Sequence, residues 1–419
     1  MNIDKYFKFV LFFSLIYFLS GYFLAITWYE SQFFSVVDIF FESNPSTNLN
    51  SLSHGWGGHA ITHPFLNFFT VPVRVVEFVY SLFFDITDRV KFRELVALSI
   101  SPLFSSLTLL YLYKTLIVLN IKPLDAIIFT LIFSITFTNI IFSIVPESYG
   151  ISCFLISVLL HYFFTYENSG RYYDSVVWFI LAVSLAGVTI TNICIFSLVF
   201  FIHLLKNKNM NCKYAVILMA FYAIFAFLSV MLFYQLTLNL LDLRVRPTGS
   251  ISWKLQWLQT DTAGIATNAI NFFSASINSF FGIFPEIKAN KYCKDVSCNA
   301  IYFNRNKSHL VFLVIVALVW AFFLFYSRKF LREKKWVNLY IICSLIVAYN
   351  FILHIFFGTE TFLYTQHWIV PIFLLMIPML EKSRMASIIL LLLLVIVNGY
   401  FLLSADQLVG YTENKGLIN

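Results

Sequence analysis

The chain is dominated by long apolar stretches. Most are close to the roughly 20 residues that an α-helix needs to cross the hydrocarbon core of a bilayer. They lie near 9–27, 95–118, 125–144, 149–166, 216–235, 310–326, 337–357, 369–380 and 386–404. Hydrocarbon offers backbone N–H and C=O groups no hydrogen bond, so such segments have to satisfy them internally, as helices. Only 12% of the 419 residues are charged, against about 25% in a soluble globular domain. A soluble multidomain protein is therefore excluded, as are disorder, collagen, a coiled coil and a disulfide-rich secreted module. The 50 Phe and 23 Tyr suit a lipid-exposed bundle with aromatic interfaces.

Residues 174–205 form an apolar stretch longer than one span requires. Arg171 precedes it, and Lys206, Lys208 and Lys213 follow. Cytoplasmic loops carry the excess of Lys and Arg, so both ends are expected on the cytoplasmic side. The break at 187–192 (Gly-Val-Thr-Ile-Thr-Asn) resolves this as two short helices meeting mid-stretch. Counting them separately, we expect an all-α polytopic membrane protein of about eleven transmembrane helices. Lys5 and Lys8 put an uncleaved first helix with its N-terminus inside. Further basic residues (Lys114, Lys122, Arg328, Lys329, Arg332, Lys334, Lys335, Lys382 and Arg384) fall on the same side. Two long loops then lie outside, at about 28–93 and about 236–308. The short outer loops 145–148 and 358–367 have no Lys or Arg. The net charge of +7 is in this reading a topology signal first. One transmembrane domain, 1–419, is expected, in a cell membrane with its polar loops facing the exterior.

No internal repeat, Walker A loop, Rossmann fingerprint or H-E-x-x-H motif is present, so nucleotide-driven transport and zincin chemistry have no support. Of the six cysteines, 153, 194 and 343 lie in apolar runs and 212 in a basic loop. Cys293 and Cys298 form a C-x4-C pair, a candidate local disulfide if that loop faces an oxidising compartment.

The chemistry-bearing residues gather on the outer side. Asp38 and Glu42 are four apart in the first outer loop and share a face if that stretch is helical. One of them is a candidate general base, since burial raises a carboxyl pKa toward the working range; both are equally compatible with the wet side of an interfacial helix. His54, His59 and His63 follow. The 59/63 spacing suggests a divalent-cation site, but Pro64 disfavours helical backbone at His63. Loop hydrogen bonding or substrate orientation by His54 and His63 is the alternative, and no metal or other cofactor is called for. Glu147 follows Pro146 in a short hairpin; it either caps the next helix or points into a cavity. Arg244 and Arg246 sit beside the membrane on the outer side, where guanidinium groups suit a lipid phosphate or diphosphate, or ordinary anionic headgroups. Residues 263–284 read as an amphipathic interfacial helix. Tyr364 and His367 are three apart and face one cavity or belong to an interfacial aromatic belt.

An acid-bearing first outer loop, a long His- and Pro-rich connection, Pro146-Glu147 at a short outer hairpin, the two short helices around Thr191-Asn192 and the late Phe362-Leu363-Tyr364 element together resemble the GT-C superfamily of membrane glycosyltransferases. The resemblance covers most of the chain as topology. It implies transfer of a sugar from a polyprenyl-phosphate donor, on the non-cytoplasmic face, to a glycan, lipid or protein acceptor, with inversion. It also implies a first-loop base, here Glu42 or Asp38. Arg244 and Arg246 would then hold the phosphate, with His54, His63, Glu147, Tyr364 and His367 contacting substrate. No paired acid opens the loop, so the choice between Glu42 and Asp38 stays open. The implied partners are the lipid-linked donor, the acceptor and membrane lipid, with no nucleic acid. Rival readings are an O-antigen or capsule polymerase, which requires the arginine pair, and a lipid-linked-glycan flippase or other transporter, which requires ionisable residues deep in several spans.

Overall fold

A computed structural model describes residues 3–41, 43–55, 63–169, 174–207, 210–242, 258, 260–282, 285–289, 299–303, 325, 333–357 and 361–414. The fold is a helical bundle. In chain order its helices are α1 (Ile3–Glu30), α2 (Pro45–His54), α3 (Thr70–Ser81), α4 (Arg89–Ala97), α5 (Ile100–Val118), α6 (Pro123–Ser134), α7 (Phe137–Ile144) and α8 (Tyr149–Ser169). They continue as α9 (Ser175–Val188), α10 (Asn192–Asn207), α11 (Cys212–Leu241), α12 (Thr262–Asn278), α13 (Lys334–Phe356), α14 (Ile369–Lys382) and α15 (Arg384–Asn414). A 3₁₀ turn, Leu363–His367, joins α13 to α14.

Among the described residues, six helices are long and apolar enough to cross a membrane, and a seventh counts if the bent pair α6–α7 is one span. The chain is thus built as a multi-pass membrane protein, with six or seven full spans among the described residues where eleven were expected over the whole chain. The shortfall has a length argument behind it. α9 and α14 have 14 residues each, about 21 Å of helix at 1.5 Å per residue, well short of a bilayer core of roughly 30 Å. α14 is also buried along most of its length. The stretch expected at 310–326 lies outside the described residues. α8 packs most extensively on α5 and forms the centre of the bundle. α1, α11 and α15 lie at its rim, where Phe23, Leu240 and Tyr400 are 70%, 70% and 74% exposed. Apolar side chains so exposed need lipid around them.

Two helices are broken, and each break is satisfied from another part of the chain. α6 and α7 meet at 64°. There the Asn398 amide donates to Ile135 O at 2.7 Å and the Tyr17 hydroxyl to Ser134 O at 3.0 Å. Phe137 N and Thr138 N donate to Phe280 O and Ser279 O. At the second break, between α9 and α10, Phe65 N donates to Gly187 O at 2.7 Å and the Tyr349 hydroxyl to Thr191 O at 2.9 Å. Irregular backbone at membrane depth is tolerated when protein groups replace the lost helix bonds in this way. Gly187 is dictated by the same contact: a Cβ there would come within 2.3 Å of the Phe65 ring.

The two long loops meet in a three-stranded sheet, order β1-β3-β2. β1 (Val37–Phe40) runs parallel to β3 (Asn299–Phe303), pairing Phe40 with Ile301, and β2 (Pro285–Ala289) runs antiparallel to β3. A second hydrophobic cluster at this end packs Trp28, Phe33, Phe34, Phe40 and Phe41 against Phe137, Phe142 and Phe362. α12 overlaps the stretch expected to lie in the interface. It packs on α13, with the buried Phe272 ring 4.6 Å from Trp368, while Ile270 and Phe273 are strongly exposed on its outer side.

Candidate functional site

Both helix breaks, the hairpin after α7 and the 3₁₀ turn come together at the end of the bundle that carries the first long loop. The sequence explains how. Asn44 caps α2 by accepting from Thr47 N at 2.9 Å, Pro45 occupies its first turn, and Gly55 ends it in the left-handed region at φ 77°. α2 is thereby fixed beside the Val145–Ser148 corner. Its Asn48 side chain and the Ser43 hydroxyl both donate to Glu147 Oε2, Ser43 at 2.8 Å. Ser148 N donates to the other oxygen at 3.0 Å, and Glu147 N donates to Ser101 Oγ at 3.1 Å. Glu147 is buried, 4% exposed. It therefore does reach the start of α8, as a capping residue would, and it also binds a strand of loop 99–104 residues earlier. Carboxylates accepting several hydrogen bonds are strongly oriented.

His63 lies one residue further into the corner and is likewise buried. Its Nδ1 is 2.9 Å from Val188 O, a group that only accepts, so Nδ1 carries the proton. Nε2 then faces the Tyr149 hydroxyl at 3.4 Å as an acceptor. Thr189 Oγ1 and Ser148 Oγ lie 3.3 and 3.5 Å from Nδ1. As Pro64 implied, His63 is in a bend and not in a helix. Tyr149 carries the cluster onward: its ring stands 5.1 Å from Tyr364 and 5.3 Å from His367. Residues three apart eclipse in a 3₁₀ turn, and Tyr364 and His367 do share a face, 6.1 Å apart. His354, from the end of α13, stacks 4.4 Å from Tyr364. Burial, with His354 and His63 close by, holds the His367 imidazole well below the usual histidine range. His367 is therefore neutral at pH 7, and its Nε2 has no hydrogen-bond partner among the described residues.

Of the expected site residues, Glu147, His63, Tyr364 and His367 thus belong to one buried polar cluster. His54 has a different neighbour, Glu94, 3.8 Å from its Nε2. Burial lowers its pKa, opposed by Glu94 and reinforced by Arg93 and Arg74. The backbone of Asp38 is in β1, paired to β3 of the second long loop; its side chain lies outside the described residues, as do Glu42, His59, Arg244 and Arg246 and the Cys293–Cys298 pair. Among the described residues no three His, Cys, Asp or Glu side chains are grouped to hold a metal ion. Sequence reasoning missed Ser43, Asn48, Ser148, Tyr149 and His354. The clue for two of them was their position directly after Glu147. The α6–α7 break was also missed, although Ser134, Thr136, Thr138 and Asn139 interrupt that apolar stretch with polar side chains.

Chemically, the cluster offers one carboxylate, imidazoles and phenols in a water-poor setting, a set suited to positioning a polar substrate group and passing single protons. No protein-family model, curated protein or solved structure matches the chain.

Proposed function

We propose that the protein is a membrane glycosyltransferase that moves a sugar from a polyprenyl-phosphate donor to a hydroxyl of a surface glycan, lipid or protein on the non-cytoplasmic face of a bacterial cell membrane. One observation carries the reading: Ser43, next in the chain to Glu42, is hydrogen-bonded at 2.8 Å to Glu147 of the Pro-Glu corner. The acid-bearing loop and the corner, separated by 104 residues, are neighbours, as an active site assembled from them requires. In the reaction, Glu42 or Asp38 takes the proton of the acceptor hydroxyl as its oxygen attacks the anomeric carbon. The bond from that carbon to the donor phosphate oxygen breaks, and the polyprenyl phosphate leaves with the electron pair. A single displacement inverts the anomeric centre. Arg244 and Arg246 stabilise the charge growing on the phosphate, an effect often worth about 3 kcal/mol for one well-placed donor. Glu147, His63, Tyr364 and His367 orient the reacting groups.

The test is mass spectrometry of the surface polysaccharide from cells with and without the protein, and with Glu42→Gln and Asp38→Asn at matched protein level. Loss of one sugar per repeat, reproduced by at least one of the two variants, supports the transferase. Loss of all long chains points to a polymerase, and full modification in both variants removes the proposed base.

A further inference from the structure

We propose that the outer face of α2 is the floor of a binding groove for a neutral, hydroxyl-rich oligosaccharide. α2 has two polar faces. One turns inward, where Asn48 reaches Glu147 and the Thr70 hydroxyl donates to Ser51 O. The other carries Ser46, Asn50 and His54 at intervals of four, about 12 Å along the helix. This stripe runs beneath two hollows of about 330 and 260 Å³ that share Asn50. Together they reach the lower range of small-molecule sites, and their elongated course suits more than one sugar residue.

The lining chemistry narrows the occupant. Lys91 Nζ lies 2.9 Å from Glu30 Oε1, and Glu94 adds a second acid to the lining. The Tyr29 hydroxyl donates to Glu94. No cationic excess is left for an anionic polymer or a phosphate. Phe34 and Leu49 line the first hollow as nearly fully buried side chains. Amide, hydroxyl and carboxylate groups share the open face with apolar surface, a mixed lining that suits a sugar ring, polar at its rim and apolar on its faces; the side chains of Ser46 and Asn50 have no hydrogen-bond partner among the described residues. Tyr29 adds an aromatic edge. Such a surface satisfies the many hydroxyls of an uncharged glycan through hydrogen bonds, and it discriminates by geometry and not by charge. Because the inward face of the same helix holds Glu147, the groove is the natural acceptor side of the transferase reading. It rests on that reading for the fate of the glycan, not for its binding.

The test uses the full-length protein in lipid nanodiscs and a panel of neutral tetrasaccharides (α- and β-linked glucose, mannose, galactose and N-acetylglucosamine). A uronic-acid tetrasaccharide and an uncharged Ser/Asn-rich peptide serve as rival probes. At least one neutral tetrasaccharide is expected to bind. Asn50→Trp and Ser46→Trp, both filling the groove from helix positions open to it, should each weaken it tenfold or more. Leu232→Trp, on the lipid-facing rim, should leave affinity unchanged. Preference for the uronic acid or the peptide overturns the proposal, as does the absence of neutral-glycan binding or binding indifferent to both α2 variants. The two readings fail separately. Glycan binding that depends on Asn50, with surface glycan unaltered by Glu42→Gln and Asp38→Asn, keeps the groove and removes the transferase. Transfer abolished by those acid variants, with binding indifferent to Asn50 and Ser46, does the reverse.

Discussion

Two glutamates at the same end of the bundle are buried to a similar degree, Glu77 at 6% exposed and Glu147 at 4%, yet they tie together very different things. Glu77 takes a fork of hydrogen bonds from Arg93, at 2.6 and 3.2 Å, across 16 residues. The pair staples α3 to α4 within one loop. Glu147 is gripped by a serine hydroxyl and an amide from a segment 99–104 residues away and by the N–H of Ser148. The first is a local ion pair whose job ends with holding a hairpin. The second fixes the register between two distant parts of the proposed site. Burial alone does not distinguish a structural acid from a functional one; the span of chain it bridges, and what lies beside its partners, does.

The contrast predicts separable losses. Arg93→Leu leaves Glu77 buried without its guanidinium and should cost about 3 kcal/mol of stability, the lower edge for breaking a buried pair because Arg93 is a quarter exposed. It should appear as a lower midpoint in thermal unfolding of the detergent-solubilised protein, and Glu77→Leu/Arg93→Leu should regain most of it. Sugar transfer by the surviving folded fraction is expected to stay near normal. Glu147→Gln should do the opposite. An amide N–H₂ would face the donors of Ser43 and Asn48, and transfer should fall at least a hundredfold, about 2.7 kcal/mol, with a small change in midpoint. If Arg93→Leu abolished transfer per folded molecule while Glu147→Gln spared it, the assignment of roles would be inverted.

Gly187→Ala sharpens the comparison at the second helix break. The added methyl would meet the Phe65 ring at 2.3 Å, and overpacking of this kind costs about 1–3 kcal/mol. Phe65 N is also bonded to Gly187 O, and His63 is two residues away. The displacement should therefore reach His63, giving a fall in transfer larger than the change in midpoint accounts for. Equal changes in both would mark the break as packing alone.

The membrane character, the α9–α10 break and the Tyr364–His367 face were all legible in the sequence, because each follows from a rule of short range: apolar length, charge at both ends of one stretch, or three-residue spacing. The number of full spans was not. An apolar stretch of 14 residues buried by neighbours reads like one that faces lipid until its packing is known, and α14 shows the difference. Nor was the Ser43–Glu147 link legible, since no periodicity connects residues 104 apart. The sheet joining the two long loops is hidden for the same reason: β1 and β3 pair across more than 250 residues.

The smallest effect concerns His367. In the folded protein its pKa is held well below the ordinary value of 6.5, chiefly by burial and further by His354 and His63. Tyr149 and Tyr364 are its ring neighbours. A depressed folded pKa means that the unfolded chain binds the proton first as pH falls. Stability from this group is therefore fully present above about pH 6.5 and declines below it, by up to about 1.4 kcal/mol per pH unit for one proton. The midpoint of the solubilised protein should drop between pH 7 and 5, and His367→Asn should flatten that slope while Arg93→Leu lowers the whole curve. An unchanged slope in His367→Asn would mean that His367 gains a proton-stabilising partner in the folded protein. In that case the cluster around Tyr149 would be polar enough to hold a cation as well as the Glu147 carboxylate, and the distinction between an ion-paired hairpin staple and a site without an ion pair would fail at this end of the bundle.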